Sequence, residues 1–172
     1  MGEEEIVNRV AASSLVSFDL ATYYSQGDRA VIDIRDQLVD DLLLREKEFR
    51  QYVKSTDWSR YSDFFVAIHC SADAIVPTWA FMLLAGALEP HARKVVFVTL
   101  EDLEFELYRE ALGAMDWSQF TGKRVVVKGC SKFPVPVAAY VLAMTRLRAV
   151  ASSVMYGEPC STVPLFKRGA DK

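Results

Sequence analysis

Asp57-Trp58-Ser59 returns as Asp116-Trp117-Ser118, 59 positions later. The agreement extends forward from there at almost one shift. Val76-Pro77 recurs as Val135-Pro136, and Ala80-Phe81 as Ala139-Tyr140, both at 59. Cys70-Ser71 recurs as Cys130-Ser131 at 60, and Val95-Val96-Phe97 falls on Val154-Met155-Tyr156 at 59. A shift held over so many phrases marks a duplicated unit, and two copies are too few for a solenoid.

Each copy reads as strand, loop, helix, strand. Phe64–Cys70 and Lys123–Cys130 are short runs of strand formers. Pro77 and Pro136 suit a helix's first turn, where the missing N–H costs nothing. The helices are expected to end near Glu89 and Arg148, and Lys94–Val98 and Ser153–Tyr156 follow as second strands. A crossover of this length requires parallel pairing, so two copies predict a four-stranded parallel core. A helix over Leu103–Met115 joins them.

In residues 1–56, Leu15–Leu20 and Arg29–Ile34 read as strands around the turn-prone Ser25-Gln26-Gly27-Asp28. Leu38–Val53 reads as a helix. The expectation is an α/β fold with a largely parallel sheet in a single domain, 1–172. Its parts are an N-terminal strand-rich extension (1–56), repeat unit 1 (57–115) and repeat unit 2 (116–172).

Composition narrows the function class. The chain has 172 residues, 51% of them apolar, and a formal net charge of −3. That balance argues against a general affinity for nucleic acid or anionic lipid. The longest apolar stretch, Ile75–Leu88, is too short to span a bilayer. The acidic start Met1-Gly2-Glu3-Glu4-Glu5 does not resemble a secretory signal. Three cysteines form no disulfide framework, and the expectation is a cytoplasmic protein.

All three cysteines sit in one local phrase, Cys-Ser followed shortly by Val-Pro: Cys70, Cys130 and Cys160. Two fall at carboxyl ends of predicted parallel strands and the third just after the last strand. Ligands bind open parallel sheets along that edge. The functional reading is a metal site with Cys70, Cys130 and Cys160 as thiolate ligands, holding Zn²⁺ or, as a rival, an iron–sulfur cluster. Glu101 stands 59 positions before Cys160 and is the first choice for a fourth ligand, with His69 and Glu158 as rivals. The competing structural reading is three buried thiols, with Glu101 in the first turn of a helix capped by Thr99 and Asp102.

A thiol-dependent enzyme with Cys70 or Cys130 as nucleophile is the alternative, because a thiol near a helix N-terminus ionises more readily. His69 is the one plausible base, since His91 follows Pro90 past a helix end; Asp73 could be a further polar group. A non-catalytic assembly or adaptor module, with a protein partner, is the third reading. Phosphate-loop, dinucleotide and zinc-hydrolase motifs are absent. Lys123, Arg124 and Lys128 read as a solvated strand flank, and Trp58 and Trp117 as core anchors.

The segments Glu5-Ile6-Val7-Asn8-Arg9-Val10-Ala11, Cys70-Ser71-Ala72-Asp73-Ala74-Ile75-Val76-Pro77-Thr78-Trp79, Lys128-Gly129-Cys130-Ser131 and Met155-Tyr156-Gly157-Glu158-Pro159-Cys160-Ser161-Thr162-Val163-Pro164 resemble an uncharacterised bacterial family, a domain of unknown function (number 2480). The resemblance covers nearly the whole chain. It implies a small cytoplasmic protein of unassigned activity with a link to iron–sulfur assembly, and it brings no catalytic residue.

Overall fold

Strand β1 (Leu15–Asp19) leads into a short 3-10 turn, Leu20–Tyr23, and β2 (Arg29–Asp33) leads into another, Ile34–Gln37. The computed structural model describes residues 15–129, 132–158 and 160–169. A two-residue hairpin follows, β3 (Leu38–Val39) and β4 (Leu43–Leu44), and then helix α1 (Glu46–Ser55). A 3-10 turn over Trp58–Tyr61 precedes β5 (Phe65–His69), helix α2 (Thr78–Leu88) and β6 (Lys94–Phe97). Helix α3 (Leu100–Gly113) and a turn over Trp117–Phe120 lead to β7 (Arg124–Lys128), helix α4 (Val137–Val150), β8 (Ser153–Glu158) and β9 (Ser161–Lys167). The chain is α/β with largely parallel strands, as expected. No helix among the described residues is long and apolar enough to cross a membrane.

The expected four-stranded core is divided into two sheets. One has the order β2-β5-β6, all parallel; the other has β1-β7-β8 parallel, with β9 antiparallel outside β8. The chain falls into two compact units accordingly. Gln26–Glu104 form one, and Met1–Ser25 with Phe105–Lys172 the other. In sequence the first interrupts the second, so we call them the inserted unit and the host unit.

The equivalence runs further than the repeated phrases. Asp33 is in register with His69, and Asp19 with Lys128. His69 and Lys128 are 59 apart, so β2 and β1 are counterparts. The two predicted N-terminal strands therefore do not share an edge; each flanks the middle strand of a different sheet. Helix α1 corresponds to the second half of α3. Phe49 and Val53 match Tyr108 and Leu112, and all four are buried.

The same apolar pattern builds each core. Ala80, Leu84 and Leu88 recur four apart along the buried stripe of α2, as Ala139, Ala143 and Leu147 do on α4. The first set packs with Ile32, Phe49, Trp58, Val66 and Ile68. The second packs with Phe18, Tyr108, Phe120, Val125 and Val127. Trp58 donates its indole N–H to Val53 O at 2.8 Å, closing the end of α1, and Trp117 donates to Leu112 O at 3.1 Å. The repeated tryptophans are anchors, as expected. In each Asp-Trp-Ser phrase the aspartate accepts the N–H two residues on, from Ser59 at 3.0 Å and from Ser118 at 2.9 Å, and so caps a 3-10 turn.

Two stretches differ from expectation. Leu38–Val53 is helical only from Glu46. Asp40 and Asp41 have φ of 53° and 56°, a paired left-handed turn closed by the Leu42 N–H donating to Val39 O at 3.0 Å, within the three-residue loop between β3 and β4. Arg35 holds that turn with two hydrogen bonds to Asp41, at 3.0 and 2.6 Å. Strand β9 was not foreseen, because Pro164 lacks a ladder donor. It is tolerated at a sheet edge, beside the register shift at Val154/Met155.

Leu88 and Leu147 occupy equivalent, fully buried positions. Leu88→Ala and Leu147→Ala should each cost about 2–5 kcal/mol in urea unfolding. A negligible cost at either site would contradict the equivalence of the two cores.

Candidate functional site

The carboxyl ends of the parallel strands carry most of the polar chemistry. In the host unit β1 ends at Asp19, whose carboxylate accepts the Ala21 N–H at 2.9 Å and so caps the following turn. Lys128, closing β7, places its ammonium 3.7 Å from Asp19 Oδ2 and 3.8 Å from Glu158 Oε2 at the end of β8. Tyr140 in the first turns of α4 meets Tyr156 of β8 edge-on, with ring centroids 5.8 Å apart. A Cβ on Gly129 would lie 1.9 Å from the Tyr140 hydroxyl oxygen, so only glycine admits this close approach. Burial pushes the Tyr140 phenol up, and the nearby Tyr156 and Asp19 add to that.

The inserted unit repeats the arrangement with different groups. His69 replaces Lys128, and its Nε2 lies 3.8 Å from Asp33 Oδ2. Asp33 Oδ1 accepts the N–H of Arg35 and of Ser71, each at 3.0 Å, tying the end of β2 to the loop after β5. Partial burial opposes ionisation of Asp33. Hydrogen bonds from the Ser71 side chain and from those two N–H groups, with the charge of His69, outweigh it and hold the carboxyl below its ordinary value. Phe81 and Phe97 stand where the host unit has Tyr140 and Tyr156, with centroids 4.9 Å apart.

The four proposed metal ligands divide between the units. Cys70 and Glu101 belong to the inserted unit, Cys160 to the host unit, and Cys130 lies outside the described residues. The Cys70 thiol points at Ala72 O, 3.8 Å away, and packs among half-buried apolar side chains of its own core. Glu101 is exposed in the first turn of α3. Beside it the Thr99 hydroxyl lies 2.8 Å from Asp102 Oδ2 and accepts the Asp102 N–H at 3.2 Å, the capping arrangement weighed above. Cys160 is exposed in the turn joining β8 to β9. Among the described residues no three of His, Cys, Asp and Glu are grouped to hold an ion.

The rivals have other partners, His69 with Asp33 and Glu158 with Lys128. Asp73 and His91 are exposed. The sequence reading passed over Asp19, Asp33, Gly129, Tyr140 and Tyr156. A signal for the aspartates was present: Phe18-Asp19-Leu20 and Ile32-Asp33-Ile34 repeat the same apolar–Asp–apolar phrase at two strand ends.

Residues 4–168 match the family described as a protein of unknown function, DUF2480. No curated protein and no solved structure matches the chain.

The Asp33 shift gives stability a pH dependence. A depressed folded value means the contribution is full above the ordinary aspartate pKa, about 3.9, and is lost as pH falls through the lower folded value. Asp33→Asn should therefore be less stable than the parent at neutral pH, and the gap should shrink from about pH 4 towards pH 2. A pH series of urea midpoints measures this, and a gap independent of pH would contradict it.

Proposed function

The chain belongs to the DUF2480 family, and we propose that it is a metal-binding protein whose thiolate site lies on the carboxyl rim of the host unit. Cys130 and Cys160 are the ligands, and zinc or an iron–sulfur cluster is the bound group. The observation that carries this reading is the contrast between thiols. Cys160 is exposed at the end of β8, whereas Cys70 is packed against its own core. Cys130 follows Lys128, the last residue of β7, by two positions in sequence, and β7 is the neighbour of β8. Thiolate pairs select soft or borderline metals over hard cations. Glu158 supplies a carboxylate on the same rim. Lys128 favours ionised thiols, and a thiol must lose its proton to bind metal.

A second reading is a thiol-dependent enzyme with Cys130 as nucleophile. The Tyr140 hydroxyl held over Gly129, next to Cys130 in sequence, favours it. A phenol held over the residue that precedes a nucleophilic thiol is a candidate proton donor in that reading.

Elemental analysis and a visible spectrum of anaerobically purified protein separate the two. The metal reading expects a stoichiometric metal that Cys130→Ser and Cys160→Ser each release and Cys70→Ser retains. Protein that holds no metal and takes up no added zinc, or that loses it equally in Cys70→Ser, would contradict the reading. Metal-free protein whose Cys130 is alkylated at least tenfold faster than Cys70 would establish the second.

A further inference from the structure

Helix α4 and strand β9 of the host unit flank a groove of about 770 Å³, a volume in the range of small-molecule sites. Its walls are apolar, with Val141 and Met144 on the helix side and Leu165 and Phe166 on the strand side. The Thr145 hydroxyl on the helix wall donates to Val141 O at 2.9 Å and is satisfied within its own helix. Charge collects at one end, where α4 finishes beside the last residues of β9 and Arg148, Lys167 and Arg168 line the groove. The Arg148 guanidinium lies over the Phe166 ring, 5.5 Å from its centroid. Arg168 donates to the carbonyls of Arg148, Ala149 and Ala151 at 3.2, 3.0 and 3.4 Å, covering the helix end that would otherwise repel an anion. Among the described residues no carboxylate pairs with any of these three cations. The inserted unit lacks this construction. Met144 and Arg148 correspond to Ala85 and Glu89, 59 positions earlier, which line a hollow of about 370 Å³. Among the described residues no strand lies outside β6 to form a second wall there.

We propose that the groove binds a small amphipathic anion, a medium-length acyl chain ending in a carboxylate. The lining stretch of α4, from Tyr140 to Ala149, spans about 13 Å at 1.5 Å per residue, which suits such a chain when extended. Its methylenes lie against Met144 and Leu165, and its carboxylate accepts hydrogen bonds from Arg148 and Lys167. Arginine meets a carboxylate with two parallel N–H groups, which fixes the head while the apolar walls tolerate the tail. The unpaired cations at one end distinguish this ligand from a neutral apolar one. A peptide fits less well, because its backbone carries polar groups along its whole length and the four apolar side chains of the walls cannot satisfy them.

Isothermal titration calorimetry of the full chain with decanoate, kept below its micelle concentration, tests this. The expected result is one-to-one binding with a Kd below about 1 mM. Arg148→Gln with Lys167→Gln should weaken it at least about tenfold, as loss of charge-assisted hydrogen bonds requires, while the far-UV circular dichroism stays unchanged. Leu165→Glu, which sets a negative charge in the wall, should weaken it as well. Decanol, the neutral counterpart, should bind at least about tenfold more weakly than decanoate. Glu89→Gln, at the corresponding position of the inserted unit, should leave decanoate binding as it was. No binding at about 5 mM decanoate, equal binding of decanol, or affinity indifferent to the loss of both cations would overturn the proposal. So would a dimer in sedimentation velocity that Leu165→Glu abolishes, because a second copy would then occupy the groove.

Discussion

Each unit depends on a middle strand that must be buried on both faces. Strands β5 and β7 have parallel neighbours on either side, so their backbone groups are satisfied along both edges. Both faces are also out of water: Val66 and Ala67 are at 0% exposure, as are Val125 and Val126. Parallel strands in that position read as continuous apolar runs. The crossover helices follow from the same constraint, each laying a stripe of alanine and leucine over one face. The polar groups that the strands cannot hold collect where the strands stop, at Asp19, Lys128 and Glu158 or at Asp33 and His69.

With the scaffold held by that packing, the two copies differ at the strand ends while sharing the buried pattern of the core. Phe18 stands where the inserted unit has Ile32, and Ala143 where it has Leu84, so a larger strand residue accompanies a smaller helix residue. Phe18 also meets Trp117 and Phe120 at centroid distances of 5.5 and 5.3 Å. On the rim, Phe81 and Phe97 correspond to hydroxyl-bearing Tyr140 and Tyr156 in equivalent edge-on pairs. Tyr140 needs the bare backbone of Gly129 beneath its hydroxyl. A tolerant core beneath a variable rim is what places new chemistry on an old fold.

Local signals in the sequence carried the strands and helices well. The runs around Val66–Ile68 and Val125–Val127 are strands. Pro77 and Pro136 stand one residue before the first helical residue, where their fixed φ suits the entry. The choice of neighbours was not legible. Nothing in Leu15–Asp19 announces a partner more than a hundred residues away in Arg124–Lys128, and periodicity does not say how many sheets the strands form. The convergence expected of Cys70, Cys130 and Cys160 was argued from one shared sheet edge, whereas Cys70 follows β5 of one sheet and Cys160 follows β8 of the other. Asp40-Asp41 was hidden inside a helix-like apolar pattern, and Pro164 disguised an edge strand.

Hydrogen exchange of the intact chain addresses the central claim, two separate parallel sheets each built on a fully paired middle strand. The slowest amides should form two sets, in Phe65–His69 and in Arg124–Lys128, with edge strands β2 and β6 exchanging sooner than β5. A single protected set, or protection of β6 equal to that of β5, would contradict the architecture.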